Sequence, residues 1–152
     1  MRKIASGVVA LVVLLAGALL WVSQMGPTEA LSFENPRARL TPGTGPMAGY
    51  LTIRNHGDRE IALVGARSAQ FGQVMLHRSV MRDGQARMEH QDRVPIAPRS
   101  AVEFRPGDLH LMLMRRQTEL NVGDPVEIVL EFDGIEPREW IVGFTVVPVT
   151  AQ

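Results

Sequence analysis

The sequence predicts an all-β domain, an antiparallel sandwich or barrel, preceded by an apolar helix that serves as an export signal or anchor. Three features carry the prediction. Short valine- and leucine-rich runs alternate with polar residues at period two, as in Val126, Ile128, Leu130 and Phe132 against Glu127, Val129 and Glu131, which is the pattern of a half-buried strand. Turn signals separate these runs at close intervals. No stretch after residue 30 has the three-to-four-residue period of an amphipathic helix.

Residues 1–30 stand apart from the domain. Arg2 and Lys3 make a basic start, and residues 4–22 form an uncharged apolar run of 19 residues, long enough to cross a bilayer. The basic end is expected to stay in the cytoplasm, so the following domain is exported. Thr28-Glu29-Ala30 carries the small residues that a signal peptidase reads, but it lies eight residues beyond the apolar run. Cleavage and retention as a membrane anchor both stay open. With no cysteine in the chain there is no attachment point for a lipoprotein lipid.

The domain proper covers residues 31–149. Strands are predicted over 31–34, 47–54, 60–66, 73–80, 85–90, 101–104, 109–115, 126–132 and 139–147. They are punctuated by Pro42-Gly43-Thr44-Gly45-Pro46, Asn55-His56-Gly57-Asp58, Arg82-Asp83-Gly84, Pro106-Gly107-Asp108, Gly123-Asp124-Pro125 and Asp133-Gly134, sequences whose glycine, proline and Asx residues favour turns. The 16 basic and 16 acidic residues cancel, so nothing points to a nucleic-acid partner. About 120 residues suffice for one core without disulfides.

Soft metal-ligand side chains are concentrated between residues 75 and 114, which hold three of the four histidines and five of the eight methionines. Thioethers and neutral imidazoles suit copper(I) far better than magnesium, calcium or a catalytic zinc. His110, Met112 and Met114 alternate with Leu111 and Leu113, so on a strand the possible ligands share one face and the leucines the other. Upstream, the Asp83-Gly84 signal folds the chain into a hairpin, which brings His77 and Met88 towards each other. Two ligands from the hairpin and two from one strand make a closed His2Met2 site. The absence of cysteine excludes a blue-copper electron-transfer site, which needs a thiolate.

The spacing His77, ten residues, Met88, twenty-one residues, His110, one residue, Met112 resembles the signature of the periplasmic PCu(A)C copper chaperones, a cupredoxin-like family. Met47 to Asn55 is similar to the family's early tyrosine strand, and Phe104 to Leu113 resembles its Pro-Gly turn leading into the His-x-Met strand. Asp108 stands where the family commonly has a second glycine. The resemblance implies a cupredoxin-like fold, one copper(I) per chain held by His77, Met88, His110 and Met112, and a location in the periplasm. It also implies delivery of copper to the CuA centre of cytochrome c oxidase subunit II, beside a Sco-type thioredoxin-like protein. A copper-sequestering tolerance protein is the alternative, since it would use the same ligands. The chain is expected to act as a monomer and to lack the second, copper(II) site that a His- and Met-rich tail provides.

Simpler roles fit the remaining residues. Met47, Met75, Met81 and Met114 read as core or surface filler, although Met75 and Met81 share the His77 face of a regular strand. His56 reads as a solvated turn residue. His90 falls two residues after Met88 and so can share its face. Arg115-Arg116 reads as a solvated strand end that can also dock an acidic partner. No enzyme motif is present: there is no Gly-x-Ser-x-Gly elbow, phosphate loop or His-Glu-x-x-His helix.

Overall fold

A computed structural model describes residues 30–150; the predicted signal or anchor over residues 4–22 lies outside them. Among the described residues no helix is long and apolar enough to cross a membrane. Ten strands follow in order: β1 (Leu31–Arg39), β2 (Met47–Asn55), β3 (Ile61–Arg67), β4 (Phe71–Arg82), β5 (Gln85–His90), β6 (Val94–Ile96), β7 (Ala101–Phe104), β8 (Leu109–Arg116), β9 (Pro125–Asp133) and β10 (Glu139–Val147).

Hydrogen bonding links nine of the strands in the order β5-β4-β8-β2-β1-β10-β9-β3-β6, and β7 pairs with β2 beyond the end of its ladder with β8. The path does not close, so β5 and β6 are edges. Strands β3 and β4 nevertheless lie against each other without a ladder. The curled sheet surrounds one buried cluster, drawn from both ends of the path, that includes Leu76, Leu111, Ile53, Phe104, Phe144, Ile128, Leu63 and Ile96.

The structure departs from the predicted strands in three ways. The short β6 is an addition. Its Pro95 lies on the edge, where a missing N–H breaks no second ladder, while Val94 and Ile96 are buried on either side of it. Strand β1 continues past Asn35-Pro36, because those residues form a bulge with Asn35 at φ 51° rather than an end. Finally, the expected antiparallel arrangement has one parallel ladder, β1 with β10, a long-range pairing that no local pattern specifies.

The phase of β8 fixes where its ligand-type side chains go. Leu109, Leu111 and Leu113 are all at most 3% exposed and belong to the core. Burying one leucine is worth about 2 kcal/mol, and a one-residue slip would expose all three. His110, Met112 and Met114 therefore emerge on the opposite face.

Candidate metal centre

Two turns set the geometry of this face. Arg105-Pro106-Gly107-Asp108 leads into β8 with Gly107 at φ 80°, and the Asp108 N–H donates to the Arg105 carbonyl at 3.2 Å. Asp108 keeps an ordinary negative φ and fits where the resembling family carries glycine. Its carbonyl accepts from the Ser79 N–H at 3.1 Å and from His110 Nδ1 at 3.0 Å. In the hairpin, Asp83 and Gly84 have φ values of 52° and 76° between the paired Arg82 and Gln85. Two positive φ angles in a two-residue loop give the turn whose twist suits a hairpin.

The resulting registers put His77 opposite both His90 on β5 and His110 on β8. Met75 lies opposite Met112, Gln73 opposite Met114, Ser79 opposite Met88, and Met81 opposite Ala86. Opposed residues of neighbouring strands share a face. Met75, His77, Met81, Met88, His90, His110, Met112 and Met114 thus all lie on one side of β5-β4-β8. The His77 ring is 6.0 Å from that of His110 and 5.6 Å from that of His90, centroid to centroid, edge-on in both cases.

His77 is the hub. Met112 lies diagonally from it towards one end of β4 and Met88 diagonally towards the other, each about 7–8 Å away across the ladder and within reach of a long side chain. The four residues of the sequence motif are thus grouped around His77. Among the described residues no three His, Cys, Asp or Glu side chains gather as a metal site. The further donors that this face offers beside its histidines are thioether sulfurs.

The imidazoles are prepared for ligation. A carbonyl only accepts, so the Asp108 carbonyl requires Nδ1 of His110 to carry the proton and leaves Nε2 with a free lone pair. Nδ1 of His77 is buried with no hydrogen-bond partner, the kind of vacancy a ligated ion would fill. Burial, followed by the neighbouring His110 and His90, holds the His77 pKa below the ordinary histidine value. That favours the neutral form that binds metal. His110 is nearly buried, whereas Met88 is 62% exposed.

The other candidates separate cleanly. Met47 is core, as expected, and Met81 is surface filler at 69% exposure. The sulfur of Met75 lies 3.2 Å from the Gln73 amide nitrogen. His56 is not a solvated turn residue. It is half-buried, its Nε2 lies 2.8 Å from Ser32 Oγ, and its N–H donates to the Ala30 carbonyl. Nor is Arg115-Arg116 a free strand end: Arg115 donates to Gly72 and Gln73, and Arg116 to the Thr41 and Gly43 carbonyls.

The tyrosine of the early strand has a place on this face that the sequence reading did not state. Ala48 pairs with Met112, so Tyr50, two residues on, shares the ligand face. It is buried beneath Arg37 and Arg39, whose guanidinium carbons lie 5.5 and 5.2 Å from the ring centroid. Burial raises the Tyr50 pKa against the opposing pull of Arg39 and Arg37.

A family model described as putative lipoprotein LpqE-like matches residues 31–139. An uncharacterized protein of Rickettsia prowazekii is 31% identical over 113 residues, covering 70% of this chain and 62% of its own length. A putative lipoprotein of Leifsonia xyli is 29% identical over 93 residues, covering 59% and 55%. The chain thus spans less than two thirds of either relative. Among solved structures, the copper-bound PCuAC domain from PmoF2 superposes with a TM-score of 0.65 at 25% identity, covering 78% of this chain and 93% of that one. The copper(I) form of DR1885 from Deinococcus radiodurans gives a TM-score of 0.62 at 28% identity, with 82% and 85% covered.

Proposed function

Because this chain belongs to the LpqE-like family and has the cupredoxin-like PCu(A)C fold, we propose that it is an exported copper(I) metallochaperone. Its cargo is one copper(I) ion, held by His77, Met88, His110 and Met112. The observation that carries this reading is the register around His77, which puts soft, uncharged side chains suited to copper(I) on one face about it. The copper named in the titles of the matching structures supports the choice of ion.

Delivery to the CuA centre of cytochrome c oxidase subunit II, beside a Sco-type thioredoxin-like protein, completes the proposal. The exposure of Met88 supports delivery over simple sequestration, since an acceptor can reach that ligand. The lipoprotein names of the matching family and relative support a place in the cell envelope, here the periplasm. The cysteine-free chain is either cleaved after residues 4–22 or tethered through them. The protein acts as a carrier rather than an enzyme, and as a monomer.

The test is an anaerobic titration of the full chain with copper(I) against a colorimetric chelator, followed by mixing with the apo CuA domain of subunit II. The parent and Met114→Ala are expected to take one equivalent from the chelator and to metallate the CuA domain. His77→Ala/Met88→Ala should do neither. Copper held by the parent but never surrendered would favour the sequestering role.

A further inference from the structure

The four-residue motif does not use His90, yet the sheet treats it as the counterpart of His110. Each faces His77 across one ladder, at ring separations of 5.6 and 6.0 Å. Each also has one ring nitrogen facing an oxygen acceptor, hydrogen-bonded in His110 and at ion-pair distance in His90. For His110 this is the Asp108 carbonyl; for His90 it is the Asp92 carboxylate, with Oδ1 3.2 Å from Nε2. A carboxylate only accepts, so in the neutral His90 ring the tautomer that suits Asp92 has its proton on Nε2 and its lone pair on Nδ1. This is how an outer partner orients a ligating histidine.

The two histidines differ in depth. His110 is 6% exposed, whereas the His90 side chain is 54% exposed on the edge strand β5. Met88, two residues earlier on β5, shares its face and its exposure. An inner group of His110 and Met112 and an outer group of His90 and Met88 therefore flank the shared His77.

We propose that His90 is a fifth copper(I) ligand, forming with His77 and Met88 an outer seat through which the ion leaves for its acceptor. This rests on the copper reading above. Copper stays monovalent throughout. The bond to Nδ1 of the neutral His90 ring forms as those to His110 and Met112 break, and His77 keeps hold of the ion. The acceptor's ligand then displaces His90 or Met88 at the exposed edge. An edge histidine on this path lowers the barrier to release and adds little to the affinity of the inner seat.

The test uses the full chain loaded with one equivalent of copper(I), mixed rapidly with excess bathocuproine disulfonate. His90→Ala is expected to keep the parent's equilibrium affinity within about threefold while its release rate falls about tenfold, a barrier change of about 1.4 kcal/mol. In the parent, copper(I) should also shift the nitrogen resonances of the His90 ring. An unchanged release rate in His90→Ala overturns the proposal. So does a loss of affinity as large as that of His110→Ala, because His90 would then belong to the resident seat. If the parent takes no copper at all, the metallochaperone reading itself fails. His90 is exposed and outside the core, so the variant should fold, and an unchanged urea midpoint checks this.

Discussion

His77 touches both halves of the ligand face, and its environment gives the site a definite response to pH. Its pKa is lowered by burial and by His110 and His90, so in acid the unfolded chain takes up a proton before the folded one does. Stability is therefore full above about pH 6.5, the ordinary histidine value, and declines as pH falls from there towards the lowered native pKa. Urea midpoints measured between pH 7.5 and 5 should fall for the parent and fall less for His77→Ala. An equal fall in both would mean that other groups carry the dependence. The spacing of His77, Met88, His110 and Met112 singled them out through its resemblance to a known signature, and the registers bring all four to one face of the sheet. The pairing of His90 with His77 was not stated, although its signal was present. Counting back from a two-residue Asp83-Gly84 loop places those two residues opposite each other.

At the scale of the element, the hairpin β4-β5 holds half the candidate site, and its turn holds the hairpin. Gly84 sits at φ 76° with no atom near the position of an added Cβ. Substitution there acts through backbone strain alone. Gly84→Ala should lower stability by about 1 kcal/mol, read as a shifted urea midpoint with unchanged slope. It should also weaken copper(I) binding, because Met88 loses its register against His77. A loss of stability with full affinity would show that the hairpin does not position ligands. The predicted hairpin and the His-x-Met strand match the observed β4, β5 and β8 because local alternation and turn chemistry are enough to define them. Strand β6 escaped because Val94–Ile96 is too short to show a period. The continuation of β1 escaped because Asn35-Pro36 reads as a stop until the partner strands hold the bulge.

Across the whole molecule, one curled sheet separates two chemistries. Its concave side packs Leu76, Leu111, Leu113 and their neighbours into a dry core, and its other side at β5-β4-β8 presents sulfur and imidazole. The all-β class was readable from period-two runs, whereas strand order and the parallel β1/β10 ladder were not, since they rest on long-range pairings, the ladder itself joining residues more than 100 positions apart. That division of faces leads directly to the central claim, that this surface binds one copper(I) ion through two imidazoles and two thioethers. X-ray absorption of the full chain loaded with one equivalent of copper(I) tests it most directly. The expected spectrum shows two nitrogen and two sulfur neighbours, with one sulfur lost in Met112→Ala. A copper environment of nitrogen and oxygen without sulfur would contradict the claim and leave the methionines of this face as packing.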